Sequence, residues 1–169
     1  SIDSPRKEFR SDGIIGLWEG SELRDVGVIQ LSDGESGYDK GERFVLFHPE
    51  TDELIVPRRR SLRFFDVESR AVTREIVLPA LPYTGDISAS GEFIVLGLLG
   101  GQYARVYDTE AGTDVKLVDE GISDHVLKHL NIVAISSSGR YVAAAATNFE
   151  NVYVWELPET KLIGVFPTN

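Results

Sequence analysis

Residues 131–166 read NIVAISSSGRYVAAAATNFENVYVWELPETKLIGVF, and they decide the fold. Asn131 to Ser136 is a short strand with apolar residues at Ile132, Val133 and Ile135. Ser136-Ser137-Ser138-Gly139 is turn chemistry, because small hydroxyl residues and glycine satisfy and reverse the backbone. Tyr141 to Ala146 follows as a second strand of small side chains, suited to the crowded middle of a sheet. Val152 to Trp155 is a third strand and ends in the pair Trp155-Glu156. Pro158-Glu159-Thr160 turns the chain, and Leu162 to Phe166 closes a four-stranded meander.

Working outward, the same grammar recurs. An aromatic followed by an acid stands at Trp18-Glu19, Phe65-Asp66, Tyr107-Asp108 and Trp155-Glu156, with spacings of 47, 42 and 48 residues. Ser90-Gly91 and Ser138-Gly139 keep the same step, 48 apart. The preceding unit gives strands at Gly85–Ser88, Glu92–Gly97, Tyr103–Tyr107 and Val115–Val118. An earlier one gives Arg43–Phe47, Glu53–Val56, Leu62–Phe65 and Thr73–Leu78. Self-similarity at about 40–45 residues marks propeller blades, each a small four-stranded sheet.

The reading is therefore an all-β β-propeller of about three and a half four-stranded blades. Residues 1–12 form a flexible lead-in, 13–31 half a blade, and 43–78, 84–118 and 131–166 three full blades. An open arc of this size is about half of a seven-bladed ring and leaves sheet faces uncovered. The inner strands of the half blade must come from another chain or chain segment that completes the propeller. A sandwich of short strands is the alternative, disfavoured by the even aromatic–acid spacing.

With 17 basic and 27 acidic residues the net charge is −10, a field that repels phosphate backbones and argues against general nucleic-acid binding. There is no cysteine, which excludes disulfides, a thiol nucleophile and a cysteine–zinc site. No apolar run approaches the about 20 residues of a membrane helix. The polar stretch Ser1–Asp12 predicts no signal segment, and the expected compartment is cytoplasmic or nuclear.

The aromatic–acid dipeptide ending a third strand, the Ser-Gly turn before the second and the period together resemble the WD-repeat β-propeller family. The last unit, from His125 through Ser136-Ser137-Ser138-Gly139 to Trp155-Glu156, matches best. The resemblance implies a rigid ring whose rim loops bind proteins. It also implies a network linking a histidine, a second-strand Ser or Thr and the third-strand Trp. Here that second-strand position falls near Ala144, so the network is expected to be incomplete.

Arg58-Arg59-Arg60, with Arg63 nearby, is the sharpest functional signal on so acidic a chain. It lies between the second and third strands of its blade, where guanidiniums at a rim can take an acidic or phosphorylated peptide through bidentate bonds. The equivalent connections of the next two blades carry Tyr103 and Phe149, candidate aromatic anchors for a protein partner. His125 and His129 have helical i, i+4 spacing, but no third ligand is specified, so no metal site is assigned; Asp124 could cap that short helix. Leu81-Pro82-Tyr83-Thr84-Gly85 spells a sorting signal but is internal and reads as a turn between blades. No nucleophile–base–acid set stands out, so neither catalytic residues nor a cofactor is assigned. The expectation is a non-catalytic scaffold. The alternatives are part of an enzymatic propeller of lactonase or dehydrogenase type, with a channel-bound metal or cofactor, and a purely architectural segment of an assembly.

Overall fold

The structure is a computed structural model that describes residues 14–19, 24–30, 44–146 and 150–168, the first two stretches by their backbone. The chain divides into two compact units, Ser1–Asp39 and Lys40–Asn169. In the first, β1 (Ile14–Glu19) and β2 (Arg24–Gln30) pair antiparallel, with a bulge between Leu17 and Trp18.

The second unit holds three four-stranded antiparallel sheets, each a meander in chain order. The first blade is β3 (Leu46–Phe47), β4 (Glu53–Arg58), β5 (Ser61–Asp66) and β6 (Val72–Val77). The second is β7 (Pro82–Ile87), β8 (Phe93–Leu98), β9 (Arg105–Asp108) and β10 (Asp114–Lys116). A short helix, α1 (Asp124–Leu127), precedes the third blade, β11 (Ile132–Ile135), β12 (Tyr141–Ala145), β13 (Asn151–Glu156) and β14 (Lys161–Pro167). This is the expected partial β-propeller.

Two local readings need correction. Leu81–Gly85 is not a turn: β7 begins at Pro82, and the Leu99 N–H donates to the Leu81 carbonyl at 2.8 Å. Proline is tolerated there because the first residue of an inner edge strand need not donate to the ladder. The helix cap is Ser123 rather than Asp124, its hydroxyl accepting from the Val126 N–H.

Each blade has two apolar faces, and the register shows that they are equivalent from blade to blade. On one, called forward here, Ile55 opposes Phe64, Val95 opposes Val106, and Ala143 opposes Val154. On the other, the rear face, Leu54 opposes Phe65, Ile94 opposes Tyr107, and Val142 opposes Trp155. Phe65, Tyr107 and Trp155, which open the three regularly spaced aromatic–acid pairs of these blades, are thus rear-face residues. The core consists of the two seams between blades. Forward Ile55, Leu62 and Phe64 meet rear Ile94, Leu96 and Tyr107. Forward Val95, Ala104 and Val106 meet rear Val142, Ala144 and Trp155, with Leu127 and Leu130 closing the top. Each large apolar side chain so covered contributes about 1.5–3 kcal/mol.

Polar groups stitch the seams. Arg74 stacks over Phe64, its guanidinium carbon 3.8 Å from the ring centroid, bonds Glu53 at 3.3 Å and reaches the Thr109 carbonyl of the next blade. Asp86 accepts the Ile135 N–H at 2.9 Å, and Thr84 donates to the Asn131 carbonyl at 2.6 Å. The first turn of each blade repeats one device. Ser88 Oγ accepts from the Phe93 N–H at 3.1 Å and Ser136 Oγ from the Tyr141 N–H at 2.9 Å. In the first blade His48 holds that place, its Nδ1 accepting from the Glu50 and Thr51 N–H groups at 3.3 Å each.

Candidate functional site

The connections between second and third strands emerge on the same rim as the links from one blade to the next, because a meander of four strands returns to the same edge every second strand. The structure ties the two kinds of connection together. Arg59 and Arg60 form the tight loop between β4 and β5, with Arg59 at a φ of 49°, a left-handed conformation that side chains adopt at some cost. The Arg60 carbonyl accepts from the Leu78 N–H at 2.7 Å, and its guanidinium donates to the Pro79 carbonyl in the link to the second blade. Ser61 Oγ donates to the Arg58 carbonyl at 3.0 Å and fixes the base of the hairpin. Arg58 is half-buried at the end of β4, whereas Arg59 and Arg60 are exposed. Arg63 lies within β5 and pairs with Glu75 at 3.4 Å.

The second blade repeats the arrangement with different chemistry. Tyr103 lies in the connection just before β9, and its phenol donates to Asp124 at the start of α1 in the link to the third blade. Lys128, one turn on, bonds the other oxygen of Asp124 at 2.5 Å. The ammoniums of Lys116 and Lys128 stand 5.1 and 5.8 Å from the centroid of the Tyr103 ring. The Asp124 carboxylate raises the ionisation of the Tyr103 phenol above its ordinary range. Lys128 and then Tyr103 in turn hold Asp124 below the usual aspartate range. Beside this triad an open cleft of about 450 Å³ is lined by Tyr103, Val118, Asp119, Glu120, Ile122, Asp124 and Leu127.

In the third blade the Thr168 N–H donates to the Glu150 carbonyl at 2.8 Å, so the second-to-third connection is again bonded to the segment after the fourth strand. Phe149 lies outside the described residues. The sequence therefore pointed to Arg58, Arg59, Arg60 and Tyr103 on one rim, in adjacent blades. It missed Asp124 and Lys128 as the partners of Tyr103. Their i, i+4 acid–base spacing was the available signal.

His125 and His129 are exposed, with ring centroids 4.6 Å apart and the rings tilted at 51°. Among the described residues no group of three metal-ligating side chains occurs. Trp155 does not complete the histidine–serine network. Its indole Nε1–H donates instead to the Val118 carbonyl at 3.4 Å, while Ala144 offers no hydroxyl. No described helix is long and apolar enough to cross a membrane.

No family model and no curated protein matches the sequence. Solved structures do match in fold. The β-propeller domain of Cps50 (Swd1) from Myceliophteria thermophila superposes with a TM-score of 0.71 at 12% identity, over 95% of this chain and 50% of its own. The WD40 repeats of RRP9 give 0.60 at 12% identity, over 77% and 39%. Hydrazine synthase from Kuenenia stuttgartiensis gives 0.61 at 16% identity, over 81% and 39%. The chain thus spans half or less of the length of each of these structures. At such identities the likeness bears on architecture alone: this chain has the fold of a WD-repeat-type β-propeller, in a segment with three four-stranded blades.

Proposed function

We propose that this chain is a non-catalytic interaction scaffold that presents its rim connections to a protein or peptide partner. The observation that carries the reading is the bonding of each second-to-third connection to the segment that follows its blade's fourth strand, seen at Arg60–Pro79, Tyr103–Asp124 and Glu150–Thr168. Loops fixed before binding lose little entropy when a partner arrives, which is what a docking rim requires. Propeller architecture in the WD40 structures is consistent with such a role.

The partner chemistry follows from the side chains. Arg58, Arg59 and Arg60 take a phosphorylated or acidic segment, with Tyr103 and Phe149 as flanking aromatic contacts. The acids of the cleft beside Tyr103 favour a cationic side chain on the same partner, so the ligand is an acidic or phosphorylated peptide with a basic flank.

The test is fluorescence anisotropy with a phosphoserine-containing acidic peptide and an unphosphorylated polyglutamate peptide as probes. Binding by the wild type is expected to weaken at least tenfold in Arg58→Glu/Arg59→Glu/Arg60→Glu and to fall with added salt. Arg59→Gly removes a charge while relieving the left-handed φ, so it is expected to weaken binding with no loss of thermal stability. Equal binding by wild type and triple variant, or none by either, overturns the basic-rim reading.

A further inference from the structure

From the end of the second strand to the end of the fourth, the three blades differ in charge. In the first blade, Arg58 to Val77 holds six arginines against three acids, on a chain of net charge −10. The equivalent stretches, Leu98 to Lys116 and Ala145 to Pro167, hold two bases against three acids and one against three. Among the described residues β6 is the last strand of its sheet. The Leu78 N–H donates inward to the Arg60 carbonyl at 2.7 Å, so alternation along the strand turns the backbone of Val77 outward. The Val77 side chain is 80% exposed, and Thr73 and Glu75 are exposed with it. Arginines mark both ends of this edge. Arg60 is held at the Pro79 carbonyl just beyond β6, with Arg59 beside it. Arg70 stands in the turn that enters β6, where its N–H donates to the Asp66 carbonyl at 2.8 Å.

We propose that the outer edge of β6 accepts an extended acidic segment of a partner protein as an added strand, with carboxylates at its two ends meeting Arg70 and the Arg59–Arg60 hairpin. The inference rests on the acidic-partner reading of the rim and adds the mode of docking. Main-chain hydrogen bonds to an edge supply affinity in such additions, while the flanking side chains supply specificity. Charge chooses the occupant, since the positive excess of this one hairpin complements an acidic strand. Length agrees with it: the six residues of β6 extend about 20 Å, so a segment of about six residues spans from one arginine site to the other. The same arginines disfavour a second copy of this chain, because two such edges laid together repel, the device by which charged edges avoid self-pairing. The other outer edges offer less. β10 has three residues, and β14 belongs to an acid-rich stretch.

The probe is a fluorescent peptide, Glu-Glu-Val-Thr-Val-Thr-Glu-Glu, titrated with the full chain. Two further forms are N-methylated at the odd or the even residues. Methylation keeps every charge and side chain but removes the N–H groups along one side of the peptide backbone. The unmodified peptide is expected to bind, and at least one methylated form to bind at least tenfold more weakly. Hydrogen exchange of the Val77 amide, read by NMR, is expected to slow at least tenfold in the complex. Equal binding of all three forms, or unchanged exchange at Val77, overturns the added strand and leaves the rim reading standing on its own probes. Absence of binding by the unmodified peptide overturns it too, and the rim reading falls with it only if the phosphoserine peptide also fails. A dimer mass in light scattering with Val77 already protected in the free chain likewise overturns it, since a second copy then holds the edge.

Discussion

Gly97 in β8 lies against the backbone of Asn131, so close that a Cβ at position 97 would stand 2.1 Å from the Asn131 carbonyl oxygen. That carbonyl is itself held by the Thr84 hydroxyl at 2.6 Å. The contact brings the second blade up to the entry of the third, and its obstruction would be backbone, which cannot rotate away.

Gly97→Ala is therefore expected to destabilise the chain by about 3 kcal/mol, the upper part of the range for overpacking. Chemical denaturation checks it. Gly101→Ala is the contrast: nothing lies within 4 Å of its Cβ position, and only the φ of 71° opposes the change. Its expected cost is about 1 kcal/mol.

Trp155 is fully buried in the seam between the second and third blades. Trp155→Ala is expected to cost about 4 kcal/mol, a large share of the stability of a small domain. Trp155→Phe keeps most of the packing and loses the bond to Val118, so a cost of about 1–2 kcal/mol is expected. Paired urea melts of the two variants separate volume from hydrogen bonding.

Glu53 and Arg74 give the chain a pH dependence of known sign. Burial pushes the Glu53 carboxyl up, but bonds from Thr73, Arg74 and Thr51 outweigh it and leave the group below the ordinary glutamate range. A depressed carboxylate stabilises the fold above its unfolded pKa and ceases to do so as the pH falls through its folded value. Stability is thus expected to decline below about pH 4.5, and Glu53→Gln to flatten that decline. Arg74→Ala, which also loses the Phe64 stacking and the Thr109 bond, is expected to cost about 2 kcal/mol at neutral pH.

Tyr103 reports on the rim directly. Because the Asp124 carboxylate holds its phenol protonated, Asp124→Asn is expected to lower the Tyr103 pKa. The bond is present below the ordinary tyrosine pKa and is lost as the pH rises through the raised value. Ultraviolet difference titration of Tyr103→Phe against the parent isolates this residue. An unchanged titration in Asp124→Asn would remove Asp124 as the cause.

Much of the fold was legible because its signals are local. Phe65, Tyr107 and Trp155 announce third strands, since each must be large, apolar and followed by a residue that leaves the seam. The backbone confirms the rhythm with a bulge just before the aromatic at Leu17/Trp18, Phe64/Phe65 and Val154/Trp155. What was illegible depends on distant partners. Nothing near Tyr103 shows that Asp124, 21 residues on, accepts the hydrogen bond of its hydroxyl. Thr84 and Gly85 look like turn residues by type. They belong to a strand because Asn131 and Phe44 require a hydroxyl at one position and no side chain at the other. His48 was silent for the same reason. It stands where Ser88 and Ser136 stand in the other blades but bonds the turn itself, and its ring fits because Gly91, across the seam, leaves the space.

The shrinking forward faces give the blades individual addresses. Their backbones are near-copies, yet Ile55–Phe64 fits the rear surface around Tyr107, and Val95–Val106 that around Trp155. Exchanging the second and third blades would set Trp155 against Phe64 and crowd one seam while hollowing another. Repeat order is therefore written in side-chain volume as well as in chain connectivity, and a duplicated or deleted repeat in this chain would misfit its neighbours even though every strand could still form.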